Sequence, residues 1–201
     1  MENTFKPSCM ICTYGAPVLR KKSMRITAFD AALSELAHSM LERMYGAHGV
    51  GLAAPQIGEL IQLVVIDLQQ AGENELVFQD GRSLPISLVQ PLYLVNPSYT
   101  PIQDLQVEYE EGCLSLPNVR GKVKRFFEIV CTYQDLEGNA HKLQCKDWLS
   151  CCIQHECDHL NGVLFIDHLS KAERNEQREL LKEIQAFGGQ FDYATLTETE
   201  A

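Results

Sequence analysis

The sequence has 201 residues, with 17 Lys plus Arg against 27 Asp plus Glu and a formal net charge of −10. That length suits one domain with a core of its own, and the acidic balance disfavours broad electrostatic capture of nucleic acid or of an anionic membrane. Apolar residues at 45% and charged residues at 22% exclude a largely disordered or collagenous chain.

The eight cysteines would suggest a disulfide framework in a small secreted chain. Residues 1–15 show no basic segment followed by an apolar core, however, and no apolar run approaches the roughly 18 residues needed to cross a bilayer. The setting we expect is the cytosol, where thiols stay reduced and a functional cysteine binds metal or does chemistry.

Residues 1–16 read as a flexible amino-terminal extension. Cys9 and Cys12 have the spacing of a metal half-site, but no second CxxC completes it, so they count as incidental thiols. After Thr27, the apolar residues Leu33, Leu36, Ala37, Met40, Leu41 and Met44 form the stripe of an amphipathic helix that Gly46 and Gly49 end. Ile61–Asp67 is short and β-branched, which predicts a buried strand, and residues 71–90 predict a loop or hairpin excursion. Tyr93-Leu94-Val95 predicts a short strand between proline-marked turns, and 126–143 a hairpin around Glu137-Gly138-Asn139.

A second helix carries Trp148, Leu149, Cys152, Ile153, His159 and Leu160 and stops at Gly162; a third runs from the Ser170/Glu173 capping box to Phe187. Helices separated by runs of short strands imply an α+β fold. In this reading the catalytic domain spans 17–169, a carboxy-terminal helix 170–187, and a flexible tail 188–201.

The second helix contains His155-Glu156-Cys157-Asp158-His159. Four residues are a little over one helical turn, so both imidazoles project from one face and can share a metal, with Glu156 beside them as a proton acceptor. An open tetrahedral site needs a third protein ligand. His168 follows the turn too soon to be the obvious choice; Cys113, in Glu111-Gly112-Cys113-Leu114-Ser115, offers a thiolate next to a glycine that permits close backbone approach. In Gly49-Val50-Gly51-Leu52-Ala53-Ala54-Pro55-Gln56, the glycines allow a backbone to pass a ligand closely, and Gln56 can donate a hydrogen bond in a confined site. A plain helix stop followed by a loop would leave the same pattern.

Taken together, GVGLAAPQ at 49–56, EGCLS at 111–115 and QHECDHLNG at 154–162 resemble the three motifs of the peptide deformylases, in the same order and with similar separations. The resemblance runs from about Pro17 to Leu169. It implies short, mostly antiparallel sheets around a central helix, and removal of the N-formyl group from the initiator methionine of nascent chains. It makes Cys113, His155 and His159 the metal ligands, with Fe(II) favoured and Zn, Ni or Co able to replace it, and Glu156 the acid/base.

The same resemblance gives Gln56 and the Leu114 amide to the formyl oxygen, and pairs the Gly49–Gly51 backbone with the peptide as an added strand. Glu111 and Arg125 would form a supporting ion pair, Gly112 would sit beside the ligand, and Arg120 would lie near the far end of the peptide. Val50, Tyr109, Trp148, Cys151 and Cys152 would wall the methionine pocket, whose outline Cys151 and Trp148 make unusual. Lys171, Arg174, Arg178 and Lys182 share one side of the third helix and could meet ribosomal RNA, although pairing with Glu173, Glu176, Glu179 and Glu183 on the same helix is the favoured explanation. Two alternatives remain: an HExxH zinc protease, which would leave Cys113 and Gln56 unexplained, and a non-catalytic metal- or peptide-binding relative, which need not have kept Glu156.

Overall fold

The computed structural model describes residues 10–68, 75–186 and 189–193. Its elements, in chain order, are β1 (Met10–Cys12), α1 (Ala31–Gly46), β2 (Gly51–Ala53), β3 (Leu63–Ile66), β4 (Leu76–Gln79), β5 (Arg82–Pro85), β6 (Leu92–Pro101), β7 (Gln106–Cys113), β8 (Leu116–Phe126), β9 (Glu128–Gln134), β10 (Ala140–Lys146), α2 (Asp147–Leu160), α3 (Lys171–Glu176), α4 (Arg178–Ala186) and β11 (Gln190–Asp192).

Seven strands form one sheet in the order β2-β3-β6-β9-β10-β4-β5, β7 and β8 form a separate hairpin, and β1 pairs with β11. All these pairings are antiparallel, as the expected α+β class requires. The strand β3 is buried at every position, and α1 lays Leu33, Ala37, Met40 and Met44 into the core beside it. Asp30 caps α1 by accepting a hydrogen bond from the Leu33 amide at 3.1 Å, an interaction worth about 1 kcal/mol.

The helix α2 is buried along nearly its whole length. It touches β2, β3, β6, β9 and β10 of the large sheet and β8 of the hairpin, so it ties the two together. Gln154 sets its seat: its side-chain amide accepts from the Phe126 amide at 3.0 Å and donates to the Phe126 carbonyl at 2.9 Å. These paired bonds lock the helix to the end of β8.

Several expectations need correction. Tyr93-Leu94-Val95 belongs to a strand of ten residues, because the register shift between Val95 and Ser98 lets Pro97 sit inside it without a ladder hydrogen bond. The loop or hairpin excursion expected at 71–90 is, over its described part 75–90, the hairpin β4–β5 as anticipated, turned by Asp80 and Gly81 at positive φ and bonded to the large sheet through β10.

The third helix is interrupted at Gln177, so its basic residues divide between α3 and α4, and Phe187 lies outside the described residues. The Ser170/Glu173 capping box does form, with bonds of 2.9 and 3.3 Å. At the amino-terminal end, Met10–Cys12 is no loose extension, because Ile11 is fully buried and Cys12 nearly so. Nor is the segment after Gly189 simply a tail, since Gln190–Asp192 is the partner strand. Cys9 and residues 194–201 lie outside the described residues.

Candidate active site

His155 and His159 stand one turn apart on α2, their rings 5.0 Å apart and edge to face. Cys113 ends β7 where the hairpin register shifts after Gly112, and a shift of this kind re-aims a side chain. Its Sγ comes to 3.2 Å from His159 Nε2. One donor atom from each of Cys113, His155 and His159 lies within 4.8 Å of the others.

Burial pushes the Cys113 thiol up, but the neighbouring His159 and His155 prevail and hold it down at about 5. It is therefore a thiolate at neutral pH, and N–H groups from Ser115 at 3.4 Å and Gln56 at 3.5 Å point at it.

The expected ion pair between Glu111 and Arg125 is present and buried, with Arg125 Nε 2.7 Å from Oε1 and Nη2 3.0 Å from Oε2. Glu111 also meets His155 Nδ1 at 2.8 Å, which leaves Nε2 as the ring nitrogen available to a metal. Burial raises the Glu111 carboxyl, yet His155 and Arg125 outweigh it and hold it down at about 2. Beyond Arg125 the network continues to Asp158 at 2.6 Å and on to His168 at 2.7 Å, links that local sequence pattern did not assign.

Glu156 is 5% exposed. Burial drives its carboxyl up to about 7 against the pull of His155 and His159. Its Oε2 has no hydrogen-bond partner among the described residues, and a Cβ on Gly51 would overlap Oε1. Gln56 is also buried; its carbonyl accepts from the Ala53 amide at 2.8 Å and its amide reaches Ser115 Oγ at 3.2 Å.

A cleft of about 920 Å³ opens over these groups. Gly49, Val50, Gly51, Gln56, Glu111, Gly112, Cys113 and Leu114 line it, as do Arg120, Trp148, Cys151, Cys152, His155 and Glu156. Tyr109 is not in the lining: its hydroxyl donates to Asp147 at 3.1 Å and its ring packs near Trp148. At Gly112 the Arg120 guanidinium occupies the space a Cβ would need. Among the described residues β2 pairs with no strand but β3, which leaves its Gly51 edge open to an extended strand.

Several lining residues escaped sequence reasoning, among them His48, Glu110 and Asn118, and also Phe191 and Tyr193, which follow an unremarkable Gly-Gly pair. A thiolate and two imidazoles with donor atoms within 4.8 Å of one another suit a divalent transition metal, and the unpaired buried Glu156 oxygen requires a polar neighbour. The residues present therefore fit a metal.

The family profile described as polypeptide deformylase matches residues 8–175. The chain belongs to that family. Among curated peptide deformylases, that of Opitutus terrae is 49% identical over 168 residues, covering 83% of this chain and 88% of the relative. The peptide deformylase of Desulfotalea psychrophila is 41% identical over 172 residues, covering 86% and 94%. A crystal structure of a peptide deformylase from Synechococcus elongatus in complex with actinonin superposes with a TM-score of 0.73 at 36% identity, covering 88% of each chain. Deformylases are metal-dependent enzymes, and in this one Cys113, His155 and His159 form the group that could hold the ion.

Proposed function

We propose that this deformylase removes the formyl group from the N-terminal formyl-methionine of nascent polypeptides, with Cys113, His155 and His159 as metal ligands and Glu156 as the acid/base. The observation that carries the reading is a buried carboxylate with one unpaired oxygen, held beside two imidazoles and a thiolate on the floor of a cleft with a free strand edge. Bound there, a divalent ion supplies a Lewis acid that lowers the pKa of water from about 15.7 toward roughly 7.

With its carboxyl near 7, Glu156 is matched to take a proton from the attacking water and return it to the departing amine, giving formate and a free N-terminus. Gln56 and the Leu114 N–H would hold the developing oxyanion, and loss of one such donor costs on the order of 10²- to 10³-fold in rate. The Gly49–Gly51 edge would bind the peptide as an added strand. Val50, Trp148, Cys151 and Cys152 would accept the methionine side chain.

The soft donor set suits Fe(II), Zn, Co or Ni, and the oxygen-sensitive Fe(II) is our choice. Metal analysis after anaerobic purification tests it. Docking on the ribosome through Lys171, Arg174, Arg178 and Lys182 gains no support from the interrupted helix, where Arg174 faces Asp167 at 3.5 Å and Lys182 pairs with Glu179 at 2.8 Å. Formate release from formyl-Met-Ala-Ser, abolished by a chelator and restored by metal, is the expected result. Cleavage of an unformylated peptide would favour the protease reading instead.

A further inference from the structure

The strands β1 and β11 pair as Met10 with Asp192, Ile11 with Phe191 and Cys12 with Gln190. Both ends of this ribbon reach the loop that carries Cys113. From the β1 side, the Tyr14 amide donates to the Ser115 carbonyl at 2.8 Å. From the β11 side, the Tyr193 hydroxyl donates to the Leu114 carbonyl at 2.6 Å.

The Leu114 carbonyl and the Ser115 N–H are two ends of one planar peptide group. Tyr193 holds the first, and the second donates to the Cys113 sulfur at 3.4 Å. Turning that plane would move the Ser115 N–H off the sulfur and change the Leu114 backbone on its other side. Tyr193 is itself braced by Phe191, whose ring meets it edge to face at 4.9 Å, and both line the cleft.

We propose that the β1–β11 ribbon is part of the reaction centre. In it Tyr193 is a positioning residue that fixes the Leu114–Ser115 peptide, and through it the Cys113 sulfur and the Leu114 N–H. The second half of this role rests on the assignment of that N–H to the formyl oxygen.

The test compares wild type, Tyr193→Phe, and Tyr133→Phe. The last removes a hydroxyl that Gln79 holds at 3.1 Å away from the cleft. For Tyr193→Phe we expect kcat on formyl-Met-Ala-Ser to fall about 2- to 10-fold, the size of one neutral hydrogen bond, with KM within about two-fold. In the cobalt-substituted protein, its thiolate-to-metal charge-transfer band should shift as well. Tyr133→Phe should change neither, and 4-aminophenylalanine in place of Tyr193, which restores a donor, should recover both.

Wild-type rate and an unmoved band in Tyr193→Phe would overturn the proposal. So would a lowered rate with an unmoved band, or an equal loss in Tyr133→Phe, since general loosening produces those. An inactive wild type would instead refute the deformylase reading, and the cobalt band would still report on Tyr193.

Discussion

His155 turns its Nδ1 onto Glu111 Oε2 at 2.8 Å, and Arg125 clamps the same carboxylate through two nitrogens. The His155 tautomer is thus set by an acid that is itself held ionised. Glu111→Gln should weaken metal retention about 10- to 100-fold, the usual cost of losing such an outer partner. It should also destabilise the fold by about 1–3 kcal/mol, because Arg125 loses one of its two carboxylate partners and keeps only Asp158. Metal release into a chelator and urea unfolding read the two effects separately; unchanged metal release would show that Glu111 serves only the core.

Glu156→Gln keeps the shape of the side chain and removes its basicity. Turnover should fall by about 10²- to 10⁴-fold, while the bound metal, counted by atomic absorption, stays near one per chain. Near-normal turnover with metal bound would remove Glu156 from the proposed role.

Gly51 has no room for a side chain, since a Cβ there would overlap Glu156 Oε1. Gly51→Ala must displace either the carboxylate or the edge strand, so we expect a loss of at least about ten-fold in kcat/KM, up to the roughly 10²-fold that a displacement of about 1 Å can cost. Metal content should not change. A fully active alanine variant would mean that the edge moves freely.

The surface pairs at His141 predict a pH effect on stability away from Cys113, His155 and His159. The hydrogen bond that His141 donates to Asp80 raises the His141 pKa against its burial, and Asp135, itself held down at about 2, adds to the rise. A raised histidine contributes most below its unfolded value of about 6.5 and loses the contribution as pH climbs through the folded value. The melting temperature of His141→Gln should therefore lie below wild type by about 2–4 °C at pH 5.5, matching a pair worth up to about 1 kcal/mol. The gap should close by pH 9, and a gap that widened with pH would reverse the assignment.

The active centre was legible in sequence wherever its geometry is local. His155, Glu156 and His159 lie on one helix, whose period fixes their common face, and the motifs flanking Gln56 and Cys113 carried the resemblance. The partners of Asp158 and His168 were not legible, since Arg125 arrives from β8, a distant element with no spacing rule to announce it. Tyr109 was placed in the pocket wall by the resemblance, which does not reveal that its hydroxyl donates to Asp147. The strands β1 and β11 are three residues each, too short for any alternation signal, and each is defined only by the other.

The large cysteine content has a practical meaning in this fold. Burial pushes the thiols of Cys12, Cys131, Cys145, Cys151, Cys152 and Cys157 up, leaving them protonated and slow toward electrophiles. Among the described residues Cys113 alone is held as a thiolate near neutrality, and it faces the cleft. Among the described cysteines, a mild alkylating reagent will therefore modify Cys113 first in the metal-free protein and spare it in the loaded one. Mass spectrometry at that residue then reads metal occupancy directly, without any substrate.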